Sequence, residues 1–125
     1  MRILVVKPHS RPKLADIPHT LEAMQETVGG YIEIIAPFDD EGVVLVCDDE
    51  GKIKGYELNR VVGHDIIAGT FFLACVGGED LKDLPDDLAG KYETFFKYPQ
   101  VFIRTLTGIL ALSSNGEQML VGDDK

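Results

Sequence analysis

Glycine pairs and polar side chains recur at several points of the sequence where loops are expected, and together they could bind an anion. Adjacent glycines can expose backbone N–H groups, and an arginine can donate two hydrogen bonds to a carboxylate or a phosphate. If the loops that carry these residues converge, they would form a small pocket for an anionic, nucleotide-like ligand. The candidate ligand-binding residues are Gly29, Gly30, Tyr31, Glu33, Asn59, Arg60, Asp65, Gly69 and Thr70.

Five of these residues also have a purely structural explanation. Gly29 and Gly30 can end a helix, and Gly69 can mark a β-bulge. Asn59 is typical of a turn or a cap, and Arg60 can pair with a neighbouring acid. We favour the structural explanation and keep the anion pocket as an alternative.

The sequence contains no recognised catalytic or metal-binding motif. The spacing patterns of nucleotide-binding loops, zinc proteases, serine hydrolases and EF-hands are all missing. His9, His19 and His64 have no ligand spacing with one another or with the cysteines. A nucleophilic Cys75 would need a partner such as His64, but a thiol inside an apolar run is more typical of a core residue. We therefore predict no catalytic residue, no metal and no cofactor, and favour a non-enzymatic protein while leaving an enzyme open.

The net charge of −9 argues against ordinary nucleic-acid binding, because an acidic surface repels phosphate. High solubility is the simplest explanation of the charge, and imitation of a nucleic acid is the alternative. One local exception is a basic patch among the first thirteen residues. Its members, the only charged residues in that stretch, are Arg2, Lys7, Arg11 and Lys13. Such a patch could hold an anion or the acidic face of a partner.

The sequence predicts a cytoplasmic protein without a membrane segment. The two cysteines, Cys47 and Cys75, both lie in apolar runs and do not form a disulfide framework. The apolar stretch at the N-terminus is too short for a signal peptide. No run approaches the roughly 18 apolar residues that a transmembrane helix needs.

The pattern along the chain predicts an α+β fold in which two helices pack on a mostly antiparallel sheet. In the first half, strands are predicted at residues 2–7, 13–17, 31–36 and 43–48. A short helix begins after Thr20, whose hydroxyl can accept a hydrogen bond from a helix amide, and ends at Gly29 and Gly30. The acidic turn at 48–51 predicts that residues 52–58 pair back on the preceding strand as a hairpin.

The second half predicts a central strand, a helix and a C-terminal β-hairpin. Residues 65–76, the most apolar segment, are predicted as one strand with a bulge at Gly69. Pro85 suits the first turn of the helix. The apolar stripe of this helix consists of Leu88, Tyr92, Phe95 and Phe96. An Asn–Gly step at 115–116 between two apolar stretches predicts the hairpin, which is followed by a short tail at 122–125.

Four segments of the sequence resemble a single protein family. They are MRILVVKP, LEAMQETVGGYIEIIAPFDD, CDDEGKIKGYELNR and DIIAGTFFLACVGGEDL, and they follow one another within residues 1–97. The chain resembles DUF3846, a domain-of-unknown-function family found in bacteria, their phages and other mobile elements. The combination of GGYIE, NR and DIIAGTFF makes the resemblance specific. It implies a family domain at 1–97 and an extension, with the hairpin, at 98–125.

The sequence departs from the family in two places. Family members often carry a longer acidic insert between NR and DIIAGTFF, whereas only residues 61–64 separate these segments here. Residues 98–125 lie outside the resemblance. The family implies no activity and no catalytic residue. It does imply a phage or mobile-element setting, in which small proteins often bind host components.

Three functions stay open on the sequence alone. The leading hypothesis is a non-enzymatic accessory protein that binds a host or element protein. The alternatives are a protein that binds a small anionic ligand and an acidic nucleic-acid mimic that inhibits a DNA-binding enzyme. The apolar hairpin could also form a homodimer, since exposed apolar strands are common interfaces.

Overall fold

The chain forms a main sheet with a helix on each face, a two-stranded sheet and a three-stranded sheet at the C-terminus. The computed structural model describes residues 1–122, and within them the chain forms eleven strands and two helices. They are β1 (Arg2–Val6), β2 (Lys13–Asp16), α1 (Leu21–Val28), β3 (Ile32–Ile35), β4 (Val43–Asp48), β5 (Leu58–Val62), β6 (Asp65–Ala68), β7 (Phe71–Gly77), β8 (Asp80–Lys82), α2 (Asp86–Phe95), β9 (Gln100–Arg104), β10 (Ile109–Ser113) and β11 (Gln118–Val121). Residues 123–125 of the predicted tail lie outside the described residues.

Six strands form the main sheet, in the order β2–β1–β7–β4–β3 with β8 attached to β7, and each neighbouring pair is antiparallel. The central strands β4 and β7 are continuous apolar runs, as expected where both faces of a sheet are covered. One face packs against Ala89 and Tyr92 of α2 and against Phe96, which follows the helix. The other face packs against Met24 and Val28 of α1. The predicted α+β class, with a mostly antiparallel sheet and two helices, is confirmed.

Helix α1 begins and ends where the sequence predicted. Thr20 Oγ1 accepts a hydrogen bond from the Ala23 amide at 3.1 Å, which satisfies a donor at the start of the helix. Gly29 ends the helix in the left-handed conformation, at a φ of 95°.

Helix α2 follows Pro85, and its predicted apolar stripe is wrong at one position. Tyr92 and Phe96 are buried and Leu88 is partly buried, because this i, i+4 series faces the sheet. Phe95 lies at the edge of the series and is exposed, with its ring 4.8 Å from that of Phe96. Within residues 1–122, neither helix has the length and apolar character needed to cross a membrane.

The predicted hairpin between 43–48 and 52–58 is wrong. The chain turns at residues 49–55, and the next strand, β5, pairs with β6 in a separate two-stranded sheet. Two contacts fix this course. Gly51 lies so close to the main chain of Ala68 that a Cβ would be 2.8 Å from its carbonyl oxygen. The amide of Tyr56 donates to the Gly51 carbonyl at 3.0 Å, which closes the turn.

The apolar segment 65–76 forms two strands in different sheets rather than one bulged strand. The chain breaks at Gly69, whose φ of 81° is in the left-handed region and whose missing Cβ would lie 2.6 Å from the Tyr56 ring. The prediction of a central strand is therefore confirmed for β7, while β6 joins β5. Strand β8 was not predicted.

The C-terminal hairpin is present, but it is part of a three-stranded sheet in the order β11–β10–β9. Gly116 turns the chain between β10 and β11 at a φ of 95°. One face of this sheet packs on the β5–β6 ribbon, through Ile109 and Val121 against Ile66. The amide of Val61 also donates to Gln100 Oε1 at 2.7 Å. Residues 100–121 thus contact the preceding part of the same chain.

Candidate functional site

The nine predicted residues do not meet in one pocket. Asn59 and Arg60 are buried in the core. Gly29, Gly69 and Thr70 border a shallow groove, whereas Glu33 and Asp65 line an acidic cleft. Gly30 and Tyr31 lie beside the turn that ends α1.

Arg60 is a core residue that hydrogen-bonds to carbonyl groups. Its side chain donates from Nη2 to the carbonyl oxygens of Ser10 at 2.6 Å and of Phe96 at 3.0 Å. Nη1 donates to Asn59 Oδ1 at 2.9 Å. The residue is only 2% exposed, and Nε finds no partner in the described part of the chain. The guanidinium therefore links β5 to the loop at Ser10 and to the end of α2 at Phe96. Its N–H groups do not face solvent.

The predicted pairing of Arg60 with a neighbouring acid is replaced by these carbonyl bonds. Burial lowers the pKa of Arg60 to about 10, so the side chain still carries its charge at neutral pH. Carbonyl dipoles can stabilise a buried cation, although less strongly than a carboxylate would.

Asn59 has a similar structural role. Its Nδ2 donates to the carbonyls of Val6 at 2.9 Å and Gly69 at 2.8 Å. Because the residue is fully buried, these bonds satisfy a side-chain amide that would otherwise be costly to bury. They join β1 to the break between β6 and β7.

The glycine amides on which the anion hypothesis depends are bonded within the chain. Gly29 and Gly30 both donate to the carbonyl of Gln25, at 2.7 and 3.1 Å, and Gly69 donates to that of Glu57 at 2.7 Å. These N–H groups are therefore not free to bind a ligand. The glycines serve the turn and the helix end instead.

Tyr56 explains why two distant glycines lie side by side. Its hydroxyl donates to the Gly29 carbonyl at 3.0 Å, and its ring packs directly on Gly69. A side chain at either glycine would collide with this tyrosine. The neighbouring groove, about 340 Å³ and bordered by Thr70, is consequently shallow.

A separate acidic cleft of about 270 Å³ has five carboxylates among its twelve lining residues, including Glu33 and Asp65. Lys52 donates to Asp65 Oδ1 at 2.6 Å, which offsets part of the negative charge. Cys47 lies in the same cleft, and burial, reinforced by the nearby Glu33 carboxylate, raises the pKa of its thiol to about 12. The thiol is therefore protonated at neutral pH and is a poor nucleophile. Among the described residues, no three His, Cys, Asp or Glu side chains are grouped to hold a metal ion.

The C-terminal sheet presents an aliphatic face to solvent. Cross-strand partners share a face, and Leu110 is paired with Ile103 on one side and Leu120 on the other. Leu112 is likewise paired with Val101 and Gln118. We call this surface the outer face and define it by Val101, Ile103, Leu110, Leu112 and Leu120.

The outer face differs from the opposite side of the same sheet. On the opposite side, Ile109 and Val121 are buried against the β5–β6 ribbon, and Ala111 between them is also buried. On the outer face, Ile103 is 49% and Leu120 is 57% exposed. Contiguous exposed apolar patches without charge are typical of protein-binding surfaces.

Comparison with known proteins gives one positive result. The family model for a domain of unknown function, DUF3846, matches residues 1–97. The chain belongs to the DUF3846 family. The family assignment from the sequence is thereby confirmed. Searches of curated proteins and of solved structures gave no match.

The outer face lies beyond the DUF3846 match, and sequence reasoning did not identify its residues individually. The prediction placed an apolar hairpin there but not the third strand, β9. The signal was present in the pattern, because both alternating positions of ILAL in β10 are apolar. A strand of this type is apolar on both faces, and one face needs a covering that the described chain does not provide.

Proposed function

We propose that this DUF3846 member is a non-enzymatic accessory protein of a phage or other mobile element that acts by binding another protein through the outer face. The observation that carries this proposal is the row of aliphatic cross-strand pairs Ile103–Leu110–Leu120. The opposite side of the same sheet packs on the β5–β6 ribbon through Ile109 and Val121. Burying such a row would gain about 25 cal/mol for each Å² removed from water. The mobile-element setting is supported by family membership.

The partner that fits best is a protein of net positive charge with an apolar surface at the centre of its contact. The chain carries a net charge of −9, while the outer face itself has no charged side chain. Long-range attraction then accelerates association with a basic protein, and the aliphatic contact holds the complex. A second copy of the chain would bring another charge of −9, so repulsion disfavours a homodimer at low salt.

The experiment compares two double variants with the same composition. Ile103→Gln with Leu120→Gln places two polar side chains on the outer face. Ile53→Gln with Leu21→Gln makes the same exchanges at exposed positions outside the C-terminal sheet. Each protein is immobilised, exposed to an extract of cells that carry the gene, and washed, and the retained proteins are quantified by mass spectrometry.

We expect a defined basic protein to be retained by the wild type and by the control variant, and at least about tenfold less by the outer-face variant. Once purified, that protein should bind the wild type more slowly at high salt. Equal retention by both variants would contradict the proposal. Sedimentation of the free protein adds a second test, because a dimer that only the outer-face variant loses would replace the partner by a second copy.

The nucleic-acid mimic stays a prediction that rests on net charge alone. A salt-sensitive inhibition of a DNA-binding enzyme that persists in the outer-face variant would favour it over the proposed function.

A further inference from the structure

Three basic side chains of the N-terminal patch line one cleft at the edge of the main sheet. The cleft has a volume of about 250 Å³ and lies along the β1–β2 hairpin. Lys7, Arg11 and Lys13 supply the charge. Val5 and Ala15 supply an apolar floor, since the strand register places Val5 opposite Lys13. This combination of cations and an apolar base is absent from the acidic cleft described above.

These three cations have no ion-pair partner among the residues that the structure describes. Most other exposed basic residues are paired, for example Lys54 with Asp48 and Lys91 with Asp40. On a chain of net charge −9, three adjacent unpaired cations are a marked local reversal of charge. Their mutual repulsion is relieved if an anion binds between them.

The loop that carries Arg11 is held in place from the core. Arg60 donates to the Ser10 carbonyl at 2.6 Å, immediately before Arg11 in the chain. Within the loop, the Ser10 amide donates to the Lys7 carbonyl at 3.2 Å, and the Ser10 hydroxyl donates to the Pro8 carbonyl at 3.3 Å. A cleft whose loop is fixed before binding loses less entropy when a ligand arrives.

We propose that this basic cleft binds a small phosphate monoester that carries an apolar or aromatic group. A phosphate monoester has a charge of about −1.5 to −2 at neutral pH, which suits three cations better than a single carboxylate does. The fork of Arg11 can donate two hydrogen bonds to phosphate oxygens, while Lys7 and Lys13 act as point charges. The apolar group then lies on the floor formed by Val5 and Ala15.

Size and charge limit the ligand. The cleft is slightly smaller than the roughly 300–1,000 Å³ typical of sites for drug-sized molecules. A long polyanion would also be repelled by the net charge of −9 that the chain carries. On the other side of Arg11 a second cleft contains Lys97 but also Glu93, whose charge opposes an anion. The ligand therefore belongs on the side of Lys7 and Lys13.

The test is a titration of the full chain, followed by amide NMR signals, with three separate probes. Adenosine monophosphate carries both the phosphate and a flat apolar group, inorganic phosphate carries only the charge, and adenosine carries only the base. We expect saturable binding of the monophosphate with a Kd of about 1 mM or tighter. Inorganic phosphate should bind more weakly and adenosine should show no saturation. The shifted signals should lie within residues 5–15.

Matched variants locate the site. Arg11→Gln should weaken binding of the monophosphate by about tenfold or more, and Lys13→Gln should act in the same direction. Lys82→Gln removes the same charge from β8 and should change the Kd by less than about twofold. All three positions are exposed, so the variants should keep their fold.

Three results would overturn the proposal. The first is a lack of saturable binding by any probe. The second is an equal loss of affinity in Arg11→Gln and Lys82→Gln, which would mean that only net charge matters. The third is inorganic phosphate binding as tightly as the monophosphate, which would remove the role of the apolar floor.

Discussion

The main sheet and the C-terminal sheet are built from the same kinds of residues, but they are covered differently. In the main sheet, Leu45 and Leu73 are fully buried beneath α2, and Phe72 is fully buried on the side of α1. In the C-terminal sheet only one side is packed, and Ile103 and Leu120 remain about half exposed. The same aliphatic side chain therefore stabilises the fold in one sheet and remains available for binding in the other.

This difference separates stability from binding within one chain. A fully buried leucine contributes its whole transfer free energy to folding, whereas a half-exposed isoleucine contributes only part of it. The remaining part can be gained when a partner covers the surface. Substitutions in the two sheets should therefore affect different measurements.

The largest expected effect comes from truncating a branched aliphatic side chain in each sheet. Leu73→Ala should lower the free energy of unfolding by about 3–5 kcal/mol, because it leaves a cavity between β7 and α2. Ile103→Ala should lower it by no more than about 1 kcal/mol, because half of that side chain is already in water. Urea unfolding with an unchanged m-value measures both. Equal losses would mean that the outer face is as important for folding as the core.

Local signals predicted the two ends of α1 and the turn of the C-terminal hairpin. The capping hydroxyl of Thr20 and the left-handed Gly29 were correctly identified because each acts on its own helix end. The hairpin at 115–116 was also correct, since an Asn–Gly step specifies a tight turn locally. These features depend on neighbours within a few residues, and such features can be predicted from sequence.

The errors in the fold occurred where distant contacts decide the chain's path. Residues 52–58 did not pair back on β4, because Gly51 packs on Ala68 and Tyr56 packs on Gly69. The break at Gly69 divides 65–76 for the same reason. A turn signal shows that the chain changes direction but does not show which strand it will meet next.

The sequence showed which residues could bind a ligand by their chemistry, but it did not show which of them lie together. Arg60 was interpreted as a possible anion ligand, yet the structure buries it against the carbonyls of Ser10 and Phe96. Residue type alone does not show whether an arginine faces solvent or the core. The basic patch was recognised from charge alone, but the structure was needed to show that Lys7 and Lys13 share a cleft.

The second prediction concerns Arg60, a charged residue that is buried in the core. Arg60→Met should lower the free energy of unfolding by about 2–3 kcal/mol, because it leaves the buried carbonyls of Ser10 and Phe96 without their donor. Arg60→Lys should not restore the loss, since an ammonium group lacks the planar fork. Chemical unfolding of both variants is the measurement. A methionine variant more stable than the wild type would show that burying the charge costs more than its hydrogen bonds return.

The smallest expected effect lies at the margin of the main sheet, where a buried group meets a partly exposed one. The side chain of Asp48, at the end of β4, is 1% exposed, and that of its partner Lys54, 2.7 Å away, is 34% exposed. Burial alone would raise the pKa of Asp48, but hydrogen bonds from Lys54 and from the Glu50 amide outweigh burial and lower it. In solvent exposure, this ion pair is intermediate between the buried core and the outer face.

A lowered pKa in the folded state means that protonation favours unfolding. The stability that Asp48 contributes should be complete above the ordinary carboxyl pKa of about 4, and should be lost as the pH falls below that value through the folded pKa. Asp48→Asn should therefore destabilise the protein by about 1 kcal/mol at pH 7, with the difference from the wild type shrinking below about pH 4. Asp49→Asn, at the exposed neighbouring position, is the control. Thermal unfolding across this pH range measures the effect, and a difference that does not vary with pH would mean that Asp48 acts through packing against Gly30 rather than through its charge.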